Sequence, residues 1–359
     1  MKTSSWLLLA ALAIPVGCGD DAEGTDTDDG SSSTTASTDP TSGPTTDPST
    51  TSNTDPTTTD TTTAADSSSG SDTDTDTDTD TDTDDSSSTG EEAREITLQF
   101  AGRIDGVDAA CDTDFAGLGS ADSDAQVRDF RLYVSNIRLL DADGNEVALE
   151  LEQDGVWQYE NVALLDFEDG TGLCADTGNP DLRSTVVGTV PAGDYDGIRF
   201  DVGVPTDLNH LDPNTAEPPL NLLPMTWNWL AGRKFVRFDF LVDNFPDDNF
   251  GWNTHLGSQG CSNGKTPDPM APPTEDCTRP QRPAIAFDAF DPDTNTVVID
   301  AGSLLATVDV SGDEVAQPGC MSFFPADDNC ADIFPNYGMD WDTGDCADGC
   351  SGQTFVTVE

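Results

Sequence analysis

Whatever folds in this chain must do so beyond residue 93, because residues 19–93 offer almost nothing to bury. They are mostly Ser, Thr, Asp, Pro and Gly with no Lys or Arg, so burial cannot offset the entropy of ordering them. The Asp-Thr alternation over residues 72–84 repels itself and favours an extended acidic spacer. Those aspartates lack the Gly and Glu spacing of a calcium-binding loop. The expected organisation is therefore a disordered stalk over 19–93 and one domain over 94–359 with a Cys-rich C-terminal extension.

The first 18 residues read as an export signal. Lys2 supplies the positive start, residues 6–16 an apolar core, and Gly17-Cys18 a small residue before a cysteine. That apolar run is far short of the roughly 20 residues that a spanning helix needs. The Gly-Cys junction points to lipidation of Cys18, although Pro15 is atypical there. The expected location is an outer-membrane or cell-surface lipoprotein, or the periplasm, touching membrane only through its lipid.

Cysteine usage agrees with an oxidising space. Nine cysteines less Cys18 leave eight, enough for four disulfides. Connectivity is not fixed by sequence, but proximity favours Cys261 with Cys277, Cys320 with Cys330 and Cys346 with Cys350, which leaves Cys111 with Cys174. None of these pairs has the knuckle spacing of a zinc site.

Beyond residue 93 the hydrophobic period is two. Ile96, Leu98 and Phe100 alternate with polar residues, as do Tyr133, Ser135, Ile137 and Leu139, and then Ile198, Phe200, Val202 and Val204. Val236, Phe238, Phe240 and Val242 alternate with Arg237, Asp239 and Leu241. Asp141 to Asn145 carries Gly144 and reads as a hairpin turn. Runs at 284–287, 296–299, 304–310 and 354–358 continue the pattern, and no 3.6-residue period competes with it. The expected fold is all-β, a disulfide-clipped β-sandwich with long loops, a closed barrel being the alternative.

The chain's two histidines, His210 and His255, flank the segment Met225-Thr-Trp-Asn-Trp229. Neutral imidazole suits copper, zinc, iron and nickel, and a nearby thioether tilts the choice to Cu(I). In an extended segment Met225, Trp227 and Trp229 would share one side. Taken alone, such a stripe equally suits a hydrophobic core.

An ordered set of pieces resembles the MbnP family of copper proteins: Leu-Tyr-Val-Ser-Asn-Ile at 132–137, Leu-Asn-His at 208–210, Pro-Leu-Asn at 219–221, Trp-Asn-Trp at 227–229, Gly-Arg-Lys-Phe at 232–235, His-Leu-Gly at 255–257, and Cys261 to Cys277. The likeness runs from about Glu95 to Val310 and carries several expectations. Proteins of that family are encoded beside a MauG/MbnH-like di-haem cytochrome c peroxidase, which oxidises the first Trp of Trp-x-Trp to kynurenine. Here that residue is Trp227. The related CorA and MopE proteins hold Cu(I) with two histidines and a kynurenine, which points to His210 and His255, with Met225 as a further ligand candidate. Trp229 and Trp252 are the relay candidates for electrons leaving Trp227. Arg233 departs from the family pattern, which has Tyr at that position.

The formal charge of -55 argues against nucleic acid and anionic membrane surfaces as partners. Arg233, Lys234 and Arg237 form the one basic cluster, and the neighbouring Asp239 and Asp243 suggest a charge-balanced strand face. No nucleophile elbow, zincin motif or phosphate loop occurs, so the expectation is a binding protein and not an enzyme. A copper acquisition or homeostasis role is expected, the alternative being an extracellular surface-adhesion lipoprotein.

Overall fold

The computed structural model describes residues 92–243, 251–311 and 319–359. The export signal, Cys18 and all but the end of the stalk lie outside them.

Two sheets share one core. The first has the strand order Val356–Val358, Thr296–Asp300, Ala93–Ile104, Thr185–Pro191 and Glu150–Leu151. The second runs Ala284–Phe287, Tyr195–Val202, Ser123–Asp141, Val236–Val242, Trp252–Leu256 and Gly319–Cys320. Alternation explains why they face each other: Ile96, Leu98 and Phe100 turn inward from one sheet, Ile198, Phe200 and Val202 from the other. Phe100 meets Phe200 edge to face across the gap, ring centroids 6.0 Å apart. The fold is thus the expected β-sandwich.

Ser123–Asp141 is 19 residues long and changes partners along its length. Its first half pairs with Val236–Val242 and its second with Tyr195–Val202. Asn136, at φ 52°, is the positive-φ residue within it. The turn at 141–145 forms as expected, with the Asp141 carboxylate accepting from the backbone of Asp143 and Asn145.

One run departs from the strand reading. Ala301–Leu305 is a short α-helix and not the start of a strand over 304–310. The Asp300 carboxylate accepts from the Ser303 amide at 3.1 Å, an N-cap that outweighs the local β character. Gly302 is required there, since a Cβ would come within 2.4 Å of Asp105.

Four cystines clip the loops: Cys111–Cys174, Cys261–Cys277, Cys320–Cys330 and Cys346–Cys350. The second closes a 16-residue separation, worth about 3 kcal/mol by chain entropy. Among the described residues no helix is long and apolar enough to cross a membrane.

Candidate metal centre

Sheet register builds the first half of the site. Arg237 lies opposite both Arg131 and His255, and Asp239 opposite both Asp129 and Asn253. With side chains alternating along each strand, Asp129, Arg131, Arg237, Asp239 and His255 occupy one face. All five are buried or nearly so. The residues 166–179 and Pro224 cover them: Thr177 donates to Asp129 at 3.1 Å, and Arg237 and Lys234 donate to the Pro224 carbonyl at 3.3 and 3.0 Å.

The chain of charges ends on His255. Asp239 Oδ1 is 2.7 Å from His255 Nε2, Asp239 Oδ2 accepts from Arg237 Nε at 2.8 Å, and Arg237 Nη1 lies 3.0 Å from Asp129. Arg131 pairs with Asp129 and lies 3.6 Å from Glu168. Burial alone would raise the Asp239 carboxyl, but the His255 imidazole and then the Arg237 guanidinium outweigh it and hold it below the usual carboxylate range. An ionised Asp239 accepts a hydrogen bond from Nε2–H, which in the neutral ring leaves the lone pair of His255 on Nδ1. That Nδ1 is buried and, among the described residues, has no hydrogen-bond partner. Deeper in the same network Asp166 is pushed up to about 8, first by burial and then by Glu168.

His210 is held differently. It caps the single helical turn Thr206–Asn209, and its Nδ1 lies 3.3 Å from the Trp229 carbonyl while Trp229 Nε1 donates to the His210 carbonyl at 2.8 Å. Its Nε2 is 3.1 Å from Asn209 Nδ2 and 3.2 Å from Cys277 Sγ. Burial brings His210 below the ordinary imidazole value, against the Trp229 bond, which raises it. With Nδ1–H on a carbonyl, the lone pair is on Nε2, where it accepts from Asn209 Nδ2.

Arg233 organises that loop. It is fully buried, and its guanidinium donates to the carbonyls of Leu220 at 2.6 and 3.1 Å and of Leu211 at 2.7 Å, and also to those of Asn209 and Leu208. This corrects the strand-face reading, which holds for Arg237 with Asp239 and not for Arg233. With no carboxylate in ion-pair range among the described residues, Arg233 satisfies backbone oxygens that the loop would otherwise bury unpaired.

Trp227 lies on the short strand Thr226–Asn228 with its ring edge on Gly257, two residues past His255. A Cβ at Gly257 would sit 2.4 Å from that ring, so only glycine permits the approach. The ring next to Trp227 is Phe323, at 5.6 Å between centroids. Met225 ends a 3-10 turn over Leu223–Met225 and is fully buried, so the shared-side argument from an extended segment does not apply to it. Trp252 is fully buried, with Nε1 donating to Thr254 at 3.1 Å. Among the described residues neither Trp229 nor Trp252 makes a ring contact with Trp227.

The structure therefore joins His210 to Trp229, and Trp227 to the strand end that carries His255. Asn209 links the two halves, with Nδ2 3.5 Å from Ser258 Oγ. Asp239, Gly257 and Phe323 are the parts that sequence reasoning missed. An Arg-x-Asp alternation opposite a histidine strand was the available signal for Asp239; nothing local pointed to Phe323.

Each histidine taken by itself offers a donor suited to a soft metal ion. His255 offers a buried, unpartnered Nδ1 with a carboxylate behind the other ring nitrogen, which is the arrangement of metal-ligating histidines generally. His210 offers Nε2 with a carbonyl behind Nδ1.

Residues 93–322 match the sequence model of the MbnP family. The solved structure of MbnP from Methylosinus trichosporium superposes with a TM-score of 0.61 at 32% identity, over 74% of this chain and 98% of that one. No curated protein matches the chain.

Proposed function

As the chain belongs to the MbnP family, we propose that it is an exported Cu(I)-binding protein that serves copper acquisition or homeostasis. His255 through Nδ1 and His210 through Nε2 hold the ion, and Trp227 joins them after conversion to kynurenine by a MauG-like di-haem peroxidase. The observation that carries this reading is the buried, unpartnered Nδ1 of His255 backed by Asp239. Such an orphan costs about 1–3 kcal/mol, a penalty that a ligand removes.

Copper supplies soft-ligand binding and no reaction on the protein's own residues. The protein's contribution is to fix the tautomers of both imidazoles through the groups behind them, Asp239 and the Trp229 carbonyl. Indole has no donor atom for a metal, whereas ring opening yields an aryl amine and a ketone. With a net loss of one carbon and gain of one oxygen at Trp227, a donor arises beside the Gly257 approach. Lipidation at Cys18 and a self-repelling spacer would hold this domain away from a membrane.

Coexpression with the peroxidase tests the proposal. Peptide mass spectrometry should find the mass change on Trp227 and not on Trp229, together with one tightly bound copper. Loss of copper in both His210→Ala and His255→Ala supports the ligand set. An unmodified Trp227 in a protein with stoichiometric copper removes kynurenine from the site.

A further inference from the structure

The Cys261–Cys277 cystine sits in a place that its structural duty does not explain. Cys277 Sγ is 3.2 Å from His210 Nε2, and the three ligand atoms of His210, Cys261 and Cys277 lie within 4.8 Å of one another. Cys261 and Cys277 are half-buried, as Cys346 is, whereas Cys111, Cys174, Cys320, Cys330 and Cys350 are buried. Cys261 also lines a cavity of about 300 Å³ bounded by Asn228, Leu230, Ser258 and Gln259, through which a small reductant or ion can enter.

We propose that reduction of this cystine creates a second, three-ligand site for a soft closed-shell metal ion, built from the sulfurs of Cys261 and Cys277 and Nε2 of His210. The backbone around it is also held by hydrogen bonds of its own. Gln259 and Arg279 exchange paired hydrogen bonds at 2.8 and 3.0 Å, and Thr274 donates to Ser262 at 2.9 Å. That ladder holds the two arms with the cysteine Cα atoms 4.0 Å apart. Two thiolates on one tetrahedral ion, at bonds of about 2.3 Å, stand about 3.8 Å apart, so on reduction the sulfurs must move apart by about 1.7 Å. Two sulfurs and one imidazole select d10 ions such as Zn(II), Cd(II) or Cu(I).

The chemistry balances with a dithiol as reductant. The cystine S–S bond breaks, two electrons and two protons reach the sulfurs, and the dithiol closes to a cyclic disulfide. Binding of a divalent ion then displaces two protons to solvent. The Cys111–Glu168–Cys174 and Cys320–Asp327–Cys330 groups have the same donor count but are wholly buried and contain no imidazole. This site goes beyond the proposed Cu(I) function and needs neither His255 nor kynurenine. Where both operate they compete for His210, so the cystine state decides which one holds that nitrogen.

The test uses the full chain, reduced in steps with dithiothreitol, freed of it without air, and titrated with Cd(II) alone. Alkylation mapping should find Cys261 and Cys277 freed before the other six paired cysteines. One Cd(II) should then bind with a sulfur-to-metal charge-transfer band and protect both from alkylation. His210→Ala should weaken Cd(II) at least tenfold, and Cys261→Ser with Cys277→Ser should abolish the band. Earlier opening of another cystine, absence of protection at Cys261 and Cys277, or an unchanged affinity in His210→Ala overturns the proposal. The ordering and protection are read in the wild-type chain and stand even if the double variant misfolds. Cu(I) binding by the unreduced protein is measured separately, so failure of one site is distinguishable from failure of the other.

Discussion

His255 sits on a strand paired on one side with Val236–Val242, its imidazole fixed by a carboxylate at the end of a buried row of charges. His210 sits at the end of one helical turn, fixed by a backbone carbonyl and by a neighbour in a loop. The first nitrogen is placed by sheet register, the second by a loop whose buried carbonyls one arginine collects. A strand position inherits the rigidity of every ladder beside it; a loop position is only as rigid as its polar contacts. The difference predicts that the two halves of the site fail in different ways.

The largest effect should come from the loop half. Arg233→Met would strand the carbonyls of Leu208, Asn209, Leu211 and Leu220 without their donor. A loss on the order of 3 kcal/mol or more is expected from denaturant unfolding, with the loop around His210 exchanging amide protons fastest. A change below about 1 kcal/mol would show that the loop holds itself.

On the strand half, Asp239→Asn keeps the shape and removes the charge that selects the tautomer of His255. Copper affinity should fall about 10- to 100-fold while the secondary structure stays unchanged. Unaltered affinity would mean that His255 does not depend on its carboxylate.

Where the halves meet, Gly257→Ala would place a methyl 2.4 Å from the Trp227 ring. Destabilisation of about 1–3 kcal/mol is expected, with a shift in tryptophan emission as the ring leaves its seat beside Phe323. Wild-type emission and stability would contradict the contact.

The remaining effect is a slope with pH. Asp166 is raised from 3.8 to about 8 in the folded state, chiefly by burial, so the fold binds its proton more tightly than the unfolded chain does. Its contribution to stability is complete below the unfolded value and is lost as pH rises through the window to about 8. Asp166→Asn should flatten the stability profile across that window by at most about 1.4 kcal/mol per pH unit. An identical slope in wild type and variant would mean that Asp166 titrates alike in both states.

Much of the sandwich was legible because period-two patterning is local: Ile96 to Phe100 and Val236 to Val242 report their own inward faces. Disulfide neighbours were readable for the same reason, since 4, 10 and 16 residues of separation keep partners close. The helix at Ala301–Leu305 was missed because its cap at Asp300 outweighs β character within a short apolar run. Asp239 looked like surface charge balance because its partnership with His255 exists only once two strands pair. Arg233 read as part of a basic patch because sequence shows a side chain's charge and not the carbonyls that surround it. Phe323 lies 96 residues beyond Trp227 and just past the family match, where nothing nearby announces a contact.

Because the chain has two histidines, nitrogen-15 NMR of its imidazoles reads the central claim without ambiguity. Cu(I) is diamagnetic, so titrating it into the peroxidase-coexpressed protein leaves both rings visible and shifts the coordinating nitrogen of each. The account predicts that His255 Nδ1 and His210 Nε2 move together at one equivalent of copper, while His255 Nε2 keeps its proton on Asp239. Stoichiometric copper with a shift at His255 Nε2, or with no shift at either ring, would contradict it.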